Sequence, residues 1–161
     1  MKTPDARADD NFALRWAASN GHLGVCRWLH ATYALTLADA RTCYNYALRH
    51  AARNGHLDVC RWLCATFGLT PADARTSKNE ALCWAAANGH LAVCRWLHAT
   101  FHLTPADARA DYSYALRHAA KNGHLDVCRW LHATFGLTAA EWEPYVGTAK
   151  LPVAAWIATL S

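Results

Sequence analysis

The chain has 161 residues, 53% of them hydrophobic and 17% charged, with a net charge of +4 when the histidines are neutral. Such a chain can bury its own core, which excludes disorder and any need for disulfides or a structural metal to fold. The charge is too small to dictate a nucleic-acid partner, and no run of about 18 apolar residues is present to cross a membrane.

The N-terminal stretch Met1–Asp5 has no apolar signal region, so a cytoplasmic or nuclear location is expected. A repeat begins almost at once. Asn-Gly-His-Leu starts at Asn20, Asn54, Asn88 and Asn122, a constant step of 34 residues, and Asp-Ala-Arg places Arg7, Arg41, Arg75 and Arg109 on the same step. Four copies follow, at about 5–38, 39–72, 73–106 and 107–140, leaving 141–161 as a remainder. The copies starting at Asp39 and Asp107 differ at six of 34 positions, and the other two carry Trp16 and Trp84 where these have His50 and His118.

The elements recur in one order. Asn11, Asn45, Asn79 and Ser113 are suitable N-caps for a first helix, which in the second copy runs from about Asn45 to Asn54. Its Ala47, Leu48, Ala51 and Ala52 form a buried stripe. Gly21, Gly55, Gly89 and Gly123 end the first helices. A second helix follows with a broad apolar face of Leu57, Val59, Cys60, Trp62 and Leu63. Threonine followed by proline, clearest at Thr70-Pro71 within Leu69–Arg75, then predicts a short helical turn. Beyond the fourth copy, Leu151, Ala154 and Ala155 echo Leu116, Ala119 and Ala120, which predicts a degenerate half-repeat that caps the stack with Trp156, Ile157 and Leu160. The first copy has no such guard, so Phe12 and Trp16 are expected to face solvent or further repeats. With no period-two pattern, the fold class is an all-α helical repeat solenoid.

The string Ala-Leu-x-x-Ala-Ala-x-Asn-Gly-His-Leu-x-Val-Cys-x-Trp-Leu resembles the ankyrin repeat over roughly Asp5 to Thr138, about five-sixths of the chain. Two features depart from the family. Tyr46-Ala47-Leu48-Arg49 stands at its Thr-Pro-Leu-His opening, and Thr-Pro-Ala-Asp-Ala-Arg, with one extra residue, stands where it forms a β-hairpin finger. Helical or irregular connectors are therefore expected in place of hairpins. The resemblance implies a non-enzymatic protein-binding scaffold whose concave surface is built from first helices and connectors.

Cys26, Cys60, Cys94 and Cys128 hold one position in successive copies, and stacked helices lie about 8–10 Å apart, beyond the roughly 7 Å that a disulfide tolerates. They read as small buried hydrophobes with free thiols, suited to a reducing compartment. His22, Cys26 and His30 recur as His90, Cys94, His98 and as His124, Cys128, His132. Eight residues of helix rise about 12 Å, so one ion cannot take all three, and no metal or other cofactor is expected. Catalysis needs one asymmetric constellation, whereas these residues repeat, so no enzyme is expected. Trp28, Trp62, Trp96 and Trp130 are expected to pack between repeats. Arg27, Arg61, Arg95 and Arg129 form an outer ladder that reads as a solvated face, which leaves a nucleic-acid partner unsupported.

Positions that vary on a constant frame are the candidates for partner binding. On the first helices these are Arg15, Trp16, Arg49, His50, Arg53, Trp84, Arg117, His118 and Lys121, and on the connectors Tyr44, Lys78 and Tyr112. Trp, Tyr and Arg dominate interface hot spots, and the cations favour a protein partner with an acidic surface. Arg15 and Arg49 have an equal alternative, holding a neighbouring connector. A monomer is expected. Two other readings fit the residues: a structural slice of a longer array, and a consensus-like designed repeat protein.

Overall fold

The computed structural model describes residues 6–160, leaving out the side chains of 139, 145 and 146. The expected start of the first copy at Asp5, with the stretch Met1–Asp5, lies outside the described residues. Every element is helical. The first repeat contains α1 (Ala8–Ser19), α2 (Leu23–Tyr33) and the short α3 (Leu37–Ala40). The same trio recurs as α4 (Thr42–Arg53), α5 (Leu57–Phe67) and α6 (Pro71–Ala74), then α7 (Thr76–Ala87), α8 (Leu91–Phe101) and α9 (Pro105–Ala108). The fourth repeat has α10 (Ala110–Asn122), α11 (Leu125–Phe135) and α12 (Ala139–Trp142), followed by a 3-10 helix (Glu143–Thr148) and α13 (Leu151–Ile157).

The first helices pack on one another far more closely than the second helices do, so the solenoid curves with its first helices on the inside. Alanine is the reason. Ala17, Ala18, Ala51, Ala52, Ala85, Ala86, Ala119 and Ala120 are fully buried and let neighbouring backbones approach. Leu14, Leu48, Leu82 and Leu116 of the first helices, Leu29, Leu63, Leu97 and Leu131 of the second, and the four repeated cysteines, each at most 4% exposed, fill the space between layers.

The connectors hold the register. Thr36, Thr70 and Thr104 form capping boxes with Asp39, Asp73 and Asp107. Each aspartate then receives the arginine 32 residues before it: Arg7 Nε reaches Asp39 at 3.1 Å, Arg41 reaches Asp73 at 2.8 Å and Arg75 reaches Asp107 at 2.7 Å. Arg109 continues the series onto Glu141 at 2.5 Å. Burial alone raises the Asp73 carboxyl, but donation from Arg41, from the Thr70 backbone and hydroxyl and from Asn45 outweighs it and holds the group at about 2. Asp107 is held at about 2 by the same balance.

The connectors are helical as expected, with one feature that sequence did not predict. Asp9–Asn11, Cys43–Asn45, Ser77–Asn79 and Asp111–Ser113 each form a turn of left-handed backbone, with φ between 49° and 61°. Such a conformation costs about 1–2 kcal/mol per non-glycine residue, so side chains must hold it. The expected N-caps belong to this device. Asn11 donates across the junction to Thr42 at 3.0 Å, and Asn45 donates to Thr76 at 3.0 Å and Asp73 at 3.2 Å, so these amides tie repeats together and do not cap their own helices.

The segment after repeat four packs on it in a register that corrects the expected echo. Leu151 is 85% exposed, whereas Val153 and Ile157, one helical turn apart, are buried. Trp142 is wholly buried and meets Trp156 edge-on at 5.1 Å.

Candidate functional site

On each first helix the leucine points to the core, so the residues two before, two after and five after it share the inner face. These are Phe12, Trp16 and Ser19, then Tyr46, His50 and Arg53, then Glu80, Trp84 and Ala87, then Tyr114, His118 and Lys121. Along this strip, ring contacts link the second and third repeats, and a cleft lines up the third with the fourth. Arg15 lies over the Tyr46 ring at 5.0 Å, and His50 stacks on Tyr46 at 3.7 Å with 9° between the planes. His50 meets Trp84 edge-on at 5.1 Å, and Arg53 lies over the same indole at 5.0 Å. One repeat further, His118 stacks on Tyr114 at 4.0 Å.

Two clefts follow this strip. Arg53, Trp84, Asn88, Tyr114 and His118 line one of about 300 Å³. Arg117, His118, Lys121, Pro144 and Thr148 line another of about 310 Å³, so His118 stands between them. Burial, then the charges of Arg49, Arg53 and Arg15, lowers His50 to about 4. Burial together with Arg117 and Lys121 lowers His118 as well. The stacked imidazoles are neutral at pH 7, which suits them to lie flat against apolar groups.

The candidate cations divide into two kinds. Arg15 Nε and Nη2 donate to the carbonyls of Asp10 and Asp9 at 2.8 and 2.7 Å. Arg49 is buried, donates to the carbonyls of Tyr44 and Cys43 at 2.7 and 2.9 Å, and pairs with Glu80. Both clamp the left-handed turn near the start of their own helix, a role close to the expected alternative of holding a connector. By contrast, Arg53, Arg117 and Lys121 form no ion pair among the described residues, and Arg117 Nε is buried without the acceptor that its counterparts have. In the third repeat Cys83 takes the clamp position, with its sulfur 3.7 Å from the Lys78 carbonyl.

Tyr44, Lys78 and Tyr112 sit elsewhere, in the left-handed turns at the connector tips. Tyr44 and Tyr112 are 76% and 85% exposed, and Lys78 pairs with Asp111 at 3.0 Å. The strip also contains residues that the sequence reading passed over. Tyr46 and Tyr114 are its stacking platforms, and their position varies as Phe12, Tyr46, Glu80 and Tyr114, the same signal that marked the others.

The repeated histidines and cysteines have structural partners. His30, His98 and His132 hold the carbonyls of Leu35, Leu103 and Leu137 through Nδ1 at 3.0, 3.0 and 2.6 Å. Burial pushes the Cys26 thiol up to about 11 and Cys60 and Cys94 higher still, which makes them poor thiolates. All seven cysteines are free, and among the described residues no three His, Cys, Asp or Glu side chains converge for a metal. Trp62, Trp96 and Trp130 pack against the core from the outer face, while Trp28 is 56% exposed. Arg27, Arg61, Arg95 and Arg129 are exposed. No helix among the described residues is long and apolar enough to cross a membrane.

The family model for ankyrin repeats (three copies) matches residues 14–107 and 69–141. No curated protein sequence matches the chain. An ankyrin repeat family protein from Legionella pneumophila has a similar structure, with a TM-score of 0.69 and 26% identity over 92% of this chain. The chain spans only 44% of that protein. The structure of the yeast ribosomal protein Rps3 in complex with its chaperone Yar1 contains a chain of the same fold, with a TM-score of 0.66 and 23% identity, covering 83% of this chain and 97% of that one.

Proposed function

The chain belongs to the ankyrin-repeat family, and we propose that its inner face holds one protein partner through that partner's acidic surface. Ankyrin repeats are protein-interaction modules, and one structural neighbour comes from a complex between a ribosomal protein and its chaperone. The observation that carries the reading is the division of the cations. Arg15 and Arg49 are spent on the frame, whereas Arg53, Arg117 and Lys121 flank stacked rings along two adjoining clefts without an ion pair. A carboxylate placed there meets an unpaired cation, while the apolar parts of the same segment cover Trp84, Tyr114 and the neutral imidazoles. Trp and Arg anchors of this kind supply most of the energy in protein interfaces.

The proposal includes a monomeric, non-enzymatic scaffold in a reducing compartment, where free thiols are stable. It places the partner away from the outer arginine ladder and does not involve nucleic acid. The test is affinity capture on the immobilised chain, followed by titration of the captured protein against Trp84→Ala and Arg117→Ala. Each substitution should weaken binding by about 1–4 kcal/mol. Unchanged affinity in both, with melting curves showing intact folds, would remove the partner from this face.

A further inference from the structure

Ion pairs in this protein match one cation to one carboxylate. Arg7, Arg41, Arg75 and Arg109 each pair with a single acid, and Lys78 pairs with Asp111. On the inner face Arg49 follows the same rule, since its Nη1 donates to Glu80, 31 residues further along the chain. Arg117 holds the place of Arg49 in the fourth repeat, and the residue 31 places beyond it is Thr148. The segment that covers repeat four therefore brings a hydroxyl where an earlier layer brings a carboxylate.

The fourth repeat also carries more charge at this place. Arg117 and Lys121 lie one helical turn apart on α10, and both line the cleft of about 310 Å³ with His118, Pro144 and Thr148. The carbonyl end of α10 favours a cation at Lys121. It does not account for Arg117. The Nε of Arg117 is buried without an acceptor, although the turn Asp111–Ser113 has the left-handed backbone that Arg15 and Arg49 clamp in their own repeats.

We propose that this cleft is a phosphate subsite, in which Arg117 and Lys121 hold a phosphorylated side chain of the protein partner on the inner face. Two cations that share one cleft are matched by one dianion. A carboxylate, which serves each single cation elsewhere in the molecule, leaves one of them unmatched. The guanidinium of Arg117 offers a planar fork for two phosphate oxygens, and Lys121 adds an ammonium from one turn away. His118 also lines the neighbouring cleft with Trp84 and Tyr114, so a polypeptide lying along the strip reaches this one. The carrier of the phosphate rests on the inner-face reading, whereas the phosphate chemistry rests on the cleft alone.

Inorganic phosphate, titrated into the 161-residue chain at constant ionic strength, is the probe. The His118 imidazole reports it by NMR. Burial, then Arg117 and Lys121, holds its pKa below the ordinary value, so a bound dianion should raise it. The shift should saturate. Arg117→Ala and Lys121→Ala should each weaken phosphate binding about tenfold or more, and exposed Lys121 keeps the test open should the Arg117 variant fail to fold. Arg95→Ala, on the outer face, should leave binding unchanged. Acetate that binds as tightly as phosphate would overturn the proposal, as would a phosphate shift that survives both substitutions or never saturates. In a second arm, phosphatase treatment of the captured protein should weaken its binding about tenfold or more. Undiminished binding there would overturn the phosphorylated carrier. A captured protein indifferent to Trp84→Ala and Arg117→Ala would overturn the inner-face reading and the carrier with it, while a saturable phosphate shift would still support the subsite.

Discussion

The connector ladder and the inner-face strip are built from the same residue types and use them in opposite ways. In the ladder, buried carboxylates take the arginine 32 residues before them and the threonine of their own capping box, so charge is used up in joining layers. In the strip, neutral imidazoles stack on tyrosines, and three cations remain without an ion pair among the described residues. Charge that is enclosed and matched sets register. Charge left unmatched beside rings is available to another molecule.

The largest expected effect comes from breaking the ladder. Asp73→Ala removes the carboxylate that Arg41 pairs with and the acceptor of the Thr70 amide and hydroxyl, and should cost about 2–4 kcal/mol in urea denaturation through the lost cap and the unsatisfied buried donors. Gly55→Ala should cost about 2 kcal/mol or more, because φ is +79° and the added Cβ lies 2.6 Å from His90 Nδ1. The same denaturation series checks it, and His90→Ala in the same chain should recover the steric part.

Acid separates the two regions. His50 has a folded pKa lowered to about 4 from 6.5, so the unfolded chain binds the proton more tightly and stability falls as pH drops from about 6.5 to 4. Allowing for partial exposure, the His50 contribution is on the order of 1–2 kcal/mol, and His50→Phe should remove that share while leaving the share of His118. Asp73, Asp107 and Glu141 are held at about 2, below their unfolded values, so their contribution is present above about pH 4 and is lost between about 4 and 2. His50→Phe should leave that lower arm in place. The smallest effect is expected at Lys121→Ala. Exposed and unpaired, it should change stability by less than about 0.5 kcal/mol while weakening partner capture. A large loss of stability there would mean that the strip, too, is part of the frame.

How much was legible in the sequence follows from how local each signal is. The turn glycines, the threonine caps and the small residues of the first helices announce themselves because each answers a constraint within a few residues of itself. The left-handed turns carry no such mark. Asp9-Asp10-Asn11, Cys43-Tyr44-Asn45 and Ser77-Lys78-Asn79 share little composition and contain no glycine, and their conformation is maintained by bonds such as Asn45 to Thr76, 31 residues away. Tyr46 and Tyr114 were visible as variable positions, but that they stack under His50 and His118 depends on the rotation of the first helix in its layer.

By itself, the sequence determined the 34-residue period, the all-helical stack and the identity of its buried face, because hydrophobic spacing and turn chemistry act at short range. Tertiary structure alone decided which arginines hold turns, which form no ion pair among the described residues, and which residues cap the fourth repeat. Each of those depends on what a neighbouring layer places opposite a side chain, and the sequence around that side chain does not contain it.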